Sequence, residues 1–229
     1  HEYTWQAVEY LFGADCSLVI LACNTASAKA LRTIQQQDLP QWLQLSNCSI
    51  RNVLGVIRPT AEAVALRTRN GHIGVLGTPG TVQSGSYAIE LQKQRADLLV
   101  AQQACPMWVP LIENGEHLQT GADYFVEKYL RLLFQRDPQI DTLVLGCTHY
   151  PLLMNSIVKN VPDGVRIMPQ GTYVADSLKS YLERHPEMEA MVTQGGTCRY
   201  LTTESEERFG ESAQIFLNEK VKAEHVELV

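Results

Sequence analysis

The chain contains no C-x-x-C pair, no Walker loop and no G-x-G-x-x-G fingerprint. A zinc knuckle, a thioredoxin-type redox centre and a P-loop nucleotide site are therefore unsupported. Gly77-x-x-Gly80 is too short for a dinucleotide site, and no acidic residue stands clearly placed for a ribose. No apolar run approaches the roughly 18 residues of a membrane span, and no signal peptide opens the text. Lysine and arginine are scattered, without a basic cluster interleaved with aromatics, and the net charge is −6. That balance gives no electrostatic footprint for nucleic acid or an anionic membrane. What is present is ordinary globular text: 229 residues, 45% of them hydrophobic, enough for one large domain or two small ones. The six cysteines, Cys16, Cys23, Cys48, Cys105, Cys147 and Cys198, are scattered rather than set in a short secreted framework. Reduced thiols in a cytoplasmic protein are the expected state.

Strand-like and helical segments alternate. The text opens in a helix, about Glu2 to Phe12, with Gly13 as its C-cap. A strand over Ser17–Ala22 leads to a helix reaching about Gln37, which Asp38-Leu39-Pro40 breaks. A second strand, Asn52–Ile57, precedes a helix over Thr60–Arg69 that Asn70-Gly71 stops. Further strands are expected at His72–Gly77, Met107–Leu111, Leu143–Leu145, Val165–Met168, Thr197–Thr202 and His225–Val229. Helices are expected over Ser84–Gln103, Gly121–Gln135, Tyr173–Arg184 and Glu204–Glu219. This order predicts an α/β fold of two pseudo-symmetric domains, with mostly parallel sheets flanked by helices and the active site in the cleft between them. Residues 1–57 and 170–229 are assigned to the first domain and 58–169 to the second.

Two cysteines stand apart. Leu18-Val19-Ile20-Leu21 and Leu143-Val144-Leu145 are short apolar runs suited to buried parallel strands. Each is followed at once by a cysteine flanked by Thr or Asn, in Cys23-Asn24-Thr25 and Cys147-Thr148-His149, and then by a helical pattern. Pro151 suits a first helical position. Both thiols thus belong at the carboxyl end of a strand, where open α/β sheets bind ligands. Backbone N–H groups and the helix dipole there are expected to lower a thiol's pKa. The two segments look like a faint internal duplication. The second unit has an earlier strand and turn, Gly77-Thr78-Pro79-Gly80-Thr81, with no counterpart ahead of Cys23. Since the text also begins abruptly as helix, a strand–turn–helix piece is expected to precede it.

Matched thiols facing each other across one cleft can take a proton from one side of a carbon and return one to the other. For an amino acid that is racemisation without a cofactor. One sulfur must be thiolate and the other thiol in each direction, and donors must meet the charge developing on the carboxylate. Asn24, Thr25, Thr78, Thr81 and Thr148 occupy turns suited to this, and His149 and Glu113 are the ionisable groups near Cys147.

Ala22-Cys23-Asn24-Thr25-Ala26 and Gly146-Cys147-Thr148-His149-Tyr150-Pro151-Leu152 resemble the two signatures of the glutamate racemases, in the aspartate/glutamate racemase superfamily. The likeness extends over essentially the whole chain, including Gly77–Thr81 and Val109–Glu113. It implies interconversion of L- and D-glutamate without pyridoxal phosphate, metal or other cofactor, in a cytoplasmic homodimer that supplies D-glutamate for peptidoglycan. It also implies that Cys23 serves the D-enantiomer and Cys147 the L-enantiomer, that His149 and Glu113 assist Cys147, and that Asn24, Thr25, Thr78, Thr81 and Thr148 hold substrate. Members of that family carry an Asp-Ser-Gly strand end and a Pro-Tyr-Gly loop ahead of the region matched here, and neither occurs in this text.

The plainer readings concern single residues. A lone cysteine in an α/β protein is usually a small buried apolar group, the role expected for Cys16, Cys48, Cys105 and Cys198. His149 alone would be a loop histidine, Glu113 a solvated turn residue, and Thr78 and Thr81 turn and cap residues. An aspartate or hydantoin racemase is the nearest alternative enzyme; aspartate racemases usually carry Glu at the position of His149. A non-catalytic homologue that binds an acidic ligand or a protein partner is the alternative of another class.

Overall fold

The computed structural model describes residues 1–46, 48 and 50–228. Helix α1 (Glu2–Gly13) buries Val8 and Phe12 and leads to strand β1 (Leu18–Leu21). The next segment is helical in pieces: α2 (Asn24–Lys29), α3 (Leu31–Thr33), a π turn over Ile34–Asp38, and α4 (Leu39–Ser46). Strand β2 (Asn52–Gly55) lies parallel to β1, with Val19 beside Val53. Val8, Phe12, Val19, Leu21, Ile34 and Val53 form one core on this sheet.

Helix α5 (Ile57–Ala65) then carries the chain to a second, four-stranded sheet. Its elements are β3 (His72–Gly77), α6 (Pro79–Ser84), α7 (Ser86–Gln94), β4 (Leu99–Ala104), α8 (Trp108–Glu113), α9 (Thr120–Arg136), β5 (Thr142–Gly146), α10 (Met154–Asn160) and β6 (Arg166–Met168). The strand order is β4-β3-β5-β6, parallel throughout. Strand β5 is buried at every position because helices cover both faces of the sheet. On one side Trp108, Val126, Leu130, Leu133, Leu143 and Leu145 pack together; on the other Ala61, Val64, Val75, Tyr87, Leu91 and Val144 do. Each fully buried valine or leucine among them contributes about 1.5–3 kcal/mol relative to exposure. The chain returns through α11 (Gly171–Arg184) and α12 (Pro186–Glu189). Strand β7 (Tyr200–Thr202), helix α13 (Glu206–Leu217) and strand β8 (Ala223–His225) form a small unit in which β7 and β8 are parallel.

The expected α/β architecture with parallel sheets is present. Several local expectations are corrected. Gly13 is the last residue of α1, and the left-handed residue beyond it is Asp15, at φ 71°. Pro40 does not end the helical run: it lies in the first turn of α4, which continues directly from the π turn over Ile34–Asp38, a place where the hydrogen-bond ladder is already interrupted. The second strand ends at Gly55, and the following helix begins at Ile57 and ends at Ala65, earlier than Arg69. The single helix expected over Ser84–Gln103 is instead α7 followed by β4, whose Leu, Ala and Gln are helix formers by propensity. Pairing of β4 along the whole of β3 overrides that preference. The strand expected at Met107–Leu111 is helix α8, whose Pro110 again lies in the first turn. The strand expected at Thr197–Thr202 shrinks to β7, and in place of the one expected at His225–Val229 the strand β8 lies earlier, sharing only His225 with it; Val229 lies outside the described residues.

Candidate active site

Cys23 ends the turn after β1 and caps α2, with its carbonyl accepting the Ser27 N–H at 2.9 Å. Cys147 follows Gly146, the last residue of β5, and its carbonyl accepts the Tyr150 N–H at 3.2 Å. A 3-10 turn over Tyr150–Leu153, with Pro151 in its first turn, leads on into α10. Both thiols therefore stand at strand ends, as expected, but their surroundings differ. Cys23 is exposed, whereas Cys147 is 8% exposed. Burial pushes the Cys147 thiol from 9.0 up to about 11; the charges of Cys23 and Glu113 add to this, while the His149 and Tyr150 N–H groups work against it. The expectation of a lowered pKa at Cys147 is thus corrected: desolvation exceeds the pull of the turn's N–H groups.

His149 and Glu113 join Cys147 as the sequence suggested. The His149 Nδ1 atom lies 3.9 Å from Cys147 Sγ, and its Nε2 atom bonds the Glu113 carboxylate. Glu113 ends α8, so this contact depends on Met107–Leu111 being helical rather than extended. The ring of Phe216, from α13, stands edge-on to His149 with centroids 5.0 Å apart. A cavity of about 510 Å³ runs between Glu113, Thr148 and His149 on one side and Arg208, Ser212 and Phe216 on the other. Phe216 had no signal in the sequence, since only the tertiary packing of α13 brings it here.

The threonines meet across the two sheets. Thr25 Oγ1 lies 2.8 Å from Thr78 Oγ1 and 3.2 Å from Thr81 Oγ1, and the Thr78 hydroxyl donates to Thr81 Oγ1 at 3.1 Å. Thr78 caps α6, its side chain accepting the Thr81 N–H. Gly80 lets α2 come this close: a Cβ there would stand 3.0 Å from Thr25 Cγ2 and 3.5 Å from Lys29 Cε. Thr81 is fully buried and braces the other two, whereas Thr148 is exposed. Asn24 is 2% exposed, and its side chain turns into a buried cluster with Tyr87 and Gln170 rather than toward the cleft. Its backbone N–H lies in the first turn of α2, where helix N–H groups have no intrahelical partner. Tyr87 and Gln170 were not singled out in the sequence; Gln170 was visible only as part of the Pro169-Gln170-Gly171 crossing.

Of the other cysteines, Cys105 is buried as expected, Cys16 and Cys48 are half-buried, and Cys198 is exposed. All six are free thiols. Among the described residues no group of three or more His, Cys, Asp or Glu could hold a metal ion, and no helix is long and apolar enough to cross a membrane.

Known proteins resemble the chain in both sequence and fold. Residues 2–176 match the profile of the Asp/Glu/hydantoin racemase family. A glutamate racemase of Streptococcus gordonii is 36% identical over 230 residues, covering 99% of this chain and 81% of that protein. The crystal structure of a glutamate racemase isoform from Bacillus anthracis superposes with a TM-score of 0.83 at 30% identity, over 99% of this chain and 80% of that one. That of the Francisella tularensis enzyme in complex with D-glutamate does so with 0.77 at 26% identity, over 100% and 79%. By sequence over three quarters of its length, and by fold over nearly all of it, the chain belongs to the Asp/Glu/hydantoin racemase family of amino-acid racemases.

Proposed function

We propose that this protein interconverts L- and D-glutamate by moving protons between two thiols. The observation that carries the reading is the placement of Cys23 and Cys147 at matched strand ends, each in the turn that leads from a parallel strand into a helical segment. In the L-to-D direction the Cys147 thiolate takes the α-proton, and the electron pair left on Cα delocalises into the substrate carboxylate. The Cys23 thiol then gives its proton to the opposite face, and D-glutamate leaves with the thiol and thiolate roles exchanged. The reverse reaction starts at Cys23. His149, backed by Glu113, accepts and returns the proton that Cys147 must lose to become the base. Thr25, Thr78 and Thr148 hold the substrate and meet its developing charge, Asn24 through its backbone N–H and Thr81 by bracing Thr25 and Thr78. The chemistry needs no cofactor.

In this reading the cleft lies between a domain of residues 1–57 and 170–229 and one of 58–169, a division supported by α5 packing mainly against α7 of the second unit, although α11 and α2 of the first also touch it. From the family resemblance, the setting is the cytoplasm, the working unit is a homodimer, and the product feeds peptidoglycan. The reading is tested by incubating the protein in D2O without added cofactor, separately with L-glutamate, D-glutamate and L-aspartate. Loss of the α-proton signal is followed together with optical rotation. Exchange and inversion of both glutamates, abolished in Cys23→Ala and in Cys147→Ala, are expected. Exchange of aspartate alone, or inversion that survives either substitution, would refute the proposal.

A further inference from the structure

Tyr87, Gln170, Asn24 and Thr60 form a buried cluster drawn from four separate segments. Tyr87 and Thr60 are fully buried, Asn24 is 2% exposed and Gln170 6%. The Asn24 amide donates to Gln170 Oε1 at 2.6 Å, and the Tyr87 hydroxyl donates to Asn24 Oδ1 at 2.7 Å. Gln170 Nε2 faces three acceptors, Tyr87 OH at 2.5 Å, Thr60 Oγ1 at 2.9 Å and Asn24 Oδ1 at 3.1 Å. A network this fully bonded specifies one arrangement of its members, since any shift leaves a buried polar group unpaired.

Its location gives that specificity a use. Asn24 directly follows Cys23 and begins α2. The Tyr87 ring lies against Gly146, which directly precedes Cys147: a Cβ on Gly146 would stand 3.1 Å from Tyr87 Cε2. Gln170 sits where the chain returns from β6 to α11, and Thr60 lies on α5. One cluster thus touches the neighbours of both thiols. The two turns are not equally secure without it. Cys147 extends a fully buried strand and is followed by the buried Tyr150 and Leu153, whereas Cys23 is exposed and follows a strand of a two-stranded sheet.

We infer that Tyr87 and Gln170 are positioning residues that fix the Cys23 turn, through Asn24, relative to the Cys147 turn. The inference rests on the two-thiol reading above. It predicts a selective defect, because misplacing one thiol by a fraction of an ångström harms only the steps that thiol performs.

A one-thiol reaction separates the two faces. With 3-chloroglutamate, a single thiolate removes the α-proton, the C–H electron pair becomes the Cα=Cβ bond, and chloride leaves. The enamine then takes up water to give 2-oxoglutarate and ammonium. Cys23→Ala and Cys147→Ala identify which α-configuration each thiol attacks. In Tyr87→Phe and Gln170→Ala, chloride release begun by Cys147 should stay within about threefold of wild type. Release begun by Cys23, and racemisation of glutamate, should each fall about ten- to a hundredfold. Because the equilibrium constant between enantiomers is unity, kcat/KM for racemisation must fall equally in both directions. Melting curves report folding, and Tyr87→Phe, which keeps the packed ring, decides the question if Gln170→Ala does not fold. Equal loss on both faces, or no loss on either beside an active wild type, overturns the inference while leaving the two-thiol reading intact. A wild type that neither racemises glutamate nor releases chloride overturns both.

Discussion

Gly146→Ala is the substitution whose effect follows most directly from the packing. The added Cβ would lie 2.8 Å from the Leu76 carbonyl oxygen and 3.1 Å from Tyr87 Cε2. A carbon–oxygen contact needs about 3.3 Å, so the deficit is about 0.5 Å. Leu76 belongs to β3, paired directly with β5, and its carbonyl cannot rotate away as a side-chain end could. The strands must separate locally, or the Tyr87 ring must move off its bonds to Asn24 and Gln170. Overpacking of a well-filled core costs about 1–3 kcal/mol. At about 2–4 °C per kcal/mol for a chain of this size, the melting temperature should fall by about 2–12 °C. The assay is a thermal melt by circular dichroism beside Gly121→Ala, at a helical position where a Cβ meets nothing within 4 Å. That control should melt no lower than wild type, since alanine favours a helix over glycine by up to about 1 kcal/mol. Exchange of the glutamate α-proton should also fall in Gly146→Ala, because Cys147 is the next residue. A variant that melts with wild type and exchanges at its rate would refute the steric argument.

Labelling the native protein with iodoacetamide and mapping the peptides by mass spectrometry should find Cys23 modified well before Cys147. Labelling of Cys147 should climb about tenfold per pH unit past 9 toward its pKa of about 11, since only the thiolate reacts; levelling off near 9 would contradict the desolvation account. His149→Gln should lower kcat/KM for racemisation about a hundredfold by removing the proton acceptor beside Cys147, and a change under about threefold would exclude that role. Asp141 accepts the Thr68 and Thr142 hydroxyls and the Arg69 and Asn70 N–H groups. Burial alone would raise its pKa, but these four donors hold it below the ordinary carboxylate value. Its stabilisation is therefore present above the unfolded pKa and is lost as pH falls through the folded one. Asp141→Asn should cost about 1–3 kcal/mol at neutral pH and flatten the acid limb of the melting curve; an unchanged limb would show that Asp141 does not contribute there.

The sequence by itself determined the fold class, because strand-length apolar runs alternate repeatedly with helical patterns, the order of parallel strands joined by crossover helices. It also located both thiols, since strand, cysteine and polar turn follow one another within each segment, and it placed His149 close by for the same local reason. What it misjudged was local preference overruled from a distance. Leu99–Ala104 prefers helix in isolation and becomes strand only because β3 offers it a full ladder. Trp108–Glu113 has an apolar run short enough for a strand, yet becomes the helix that brings Glu113 to His149.

The tertiary structure alone decided what the site residues face. Asn24 and Thr81 are polar turn residues in the sequence, but folding turns their side chains into bonded clusters rather than the cleft. Tyr87, Gln170 and Phe216 come to the site from segments far from either cysteine, and no local pattern marks them. The unequal character of the two thiols is likewise tertiary. Each follows an apolar strand and precedes a helix, but burial is a property of everything packed around a group: Cys147 lies beneath enough of the protein for desolvation to raise its pKa, while Cys23 stays exposed.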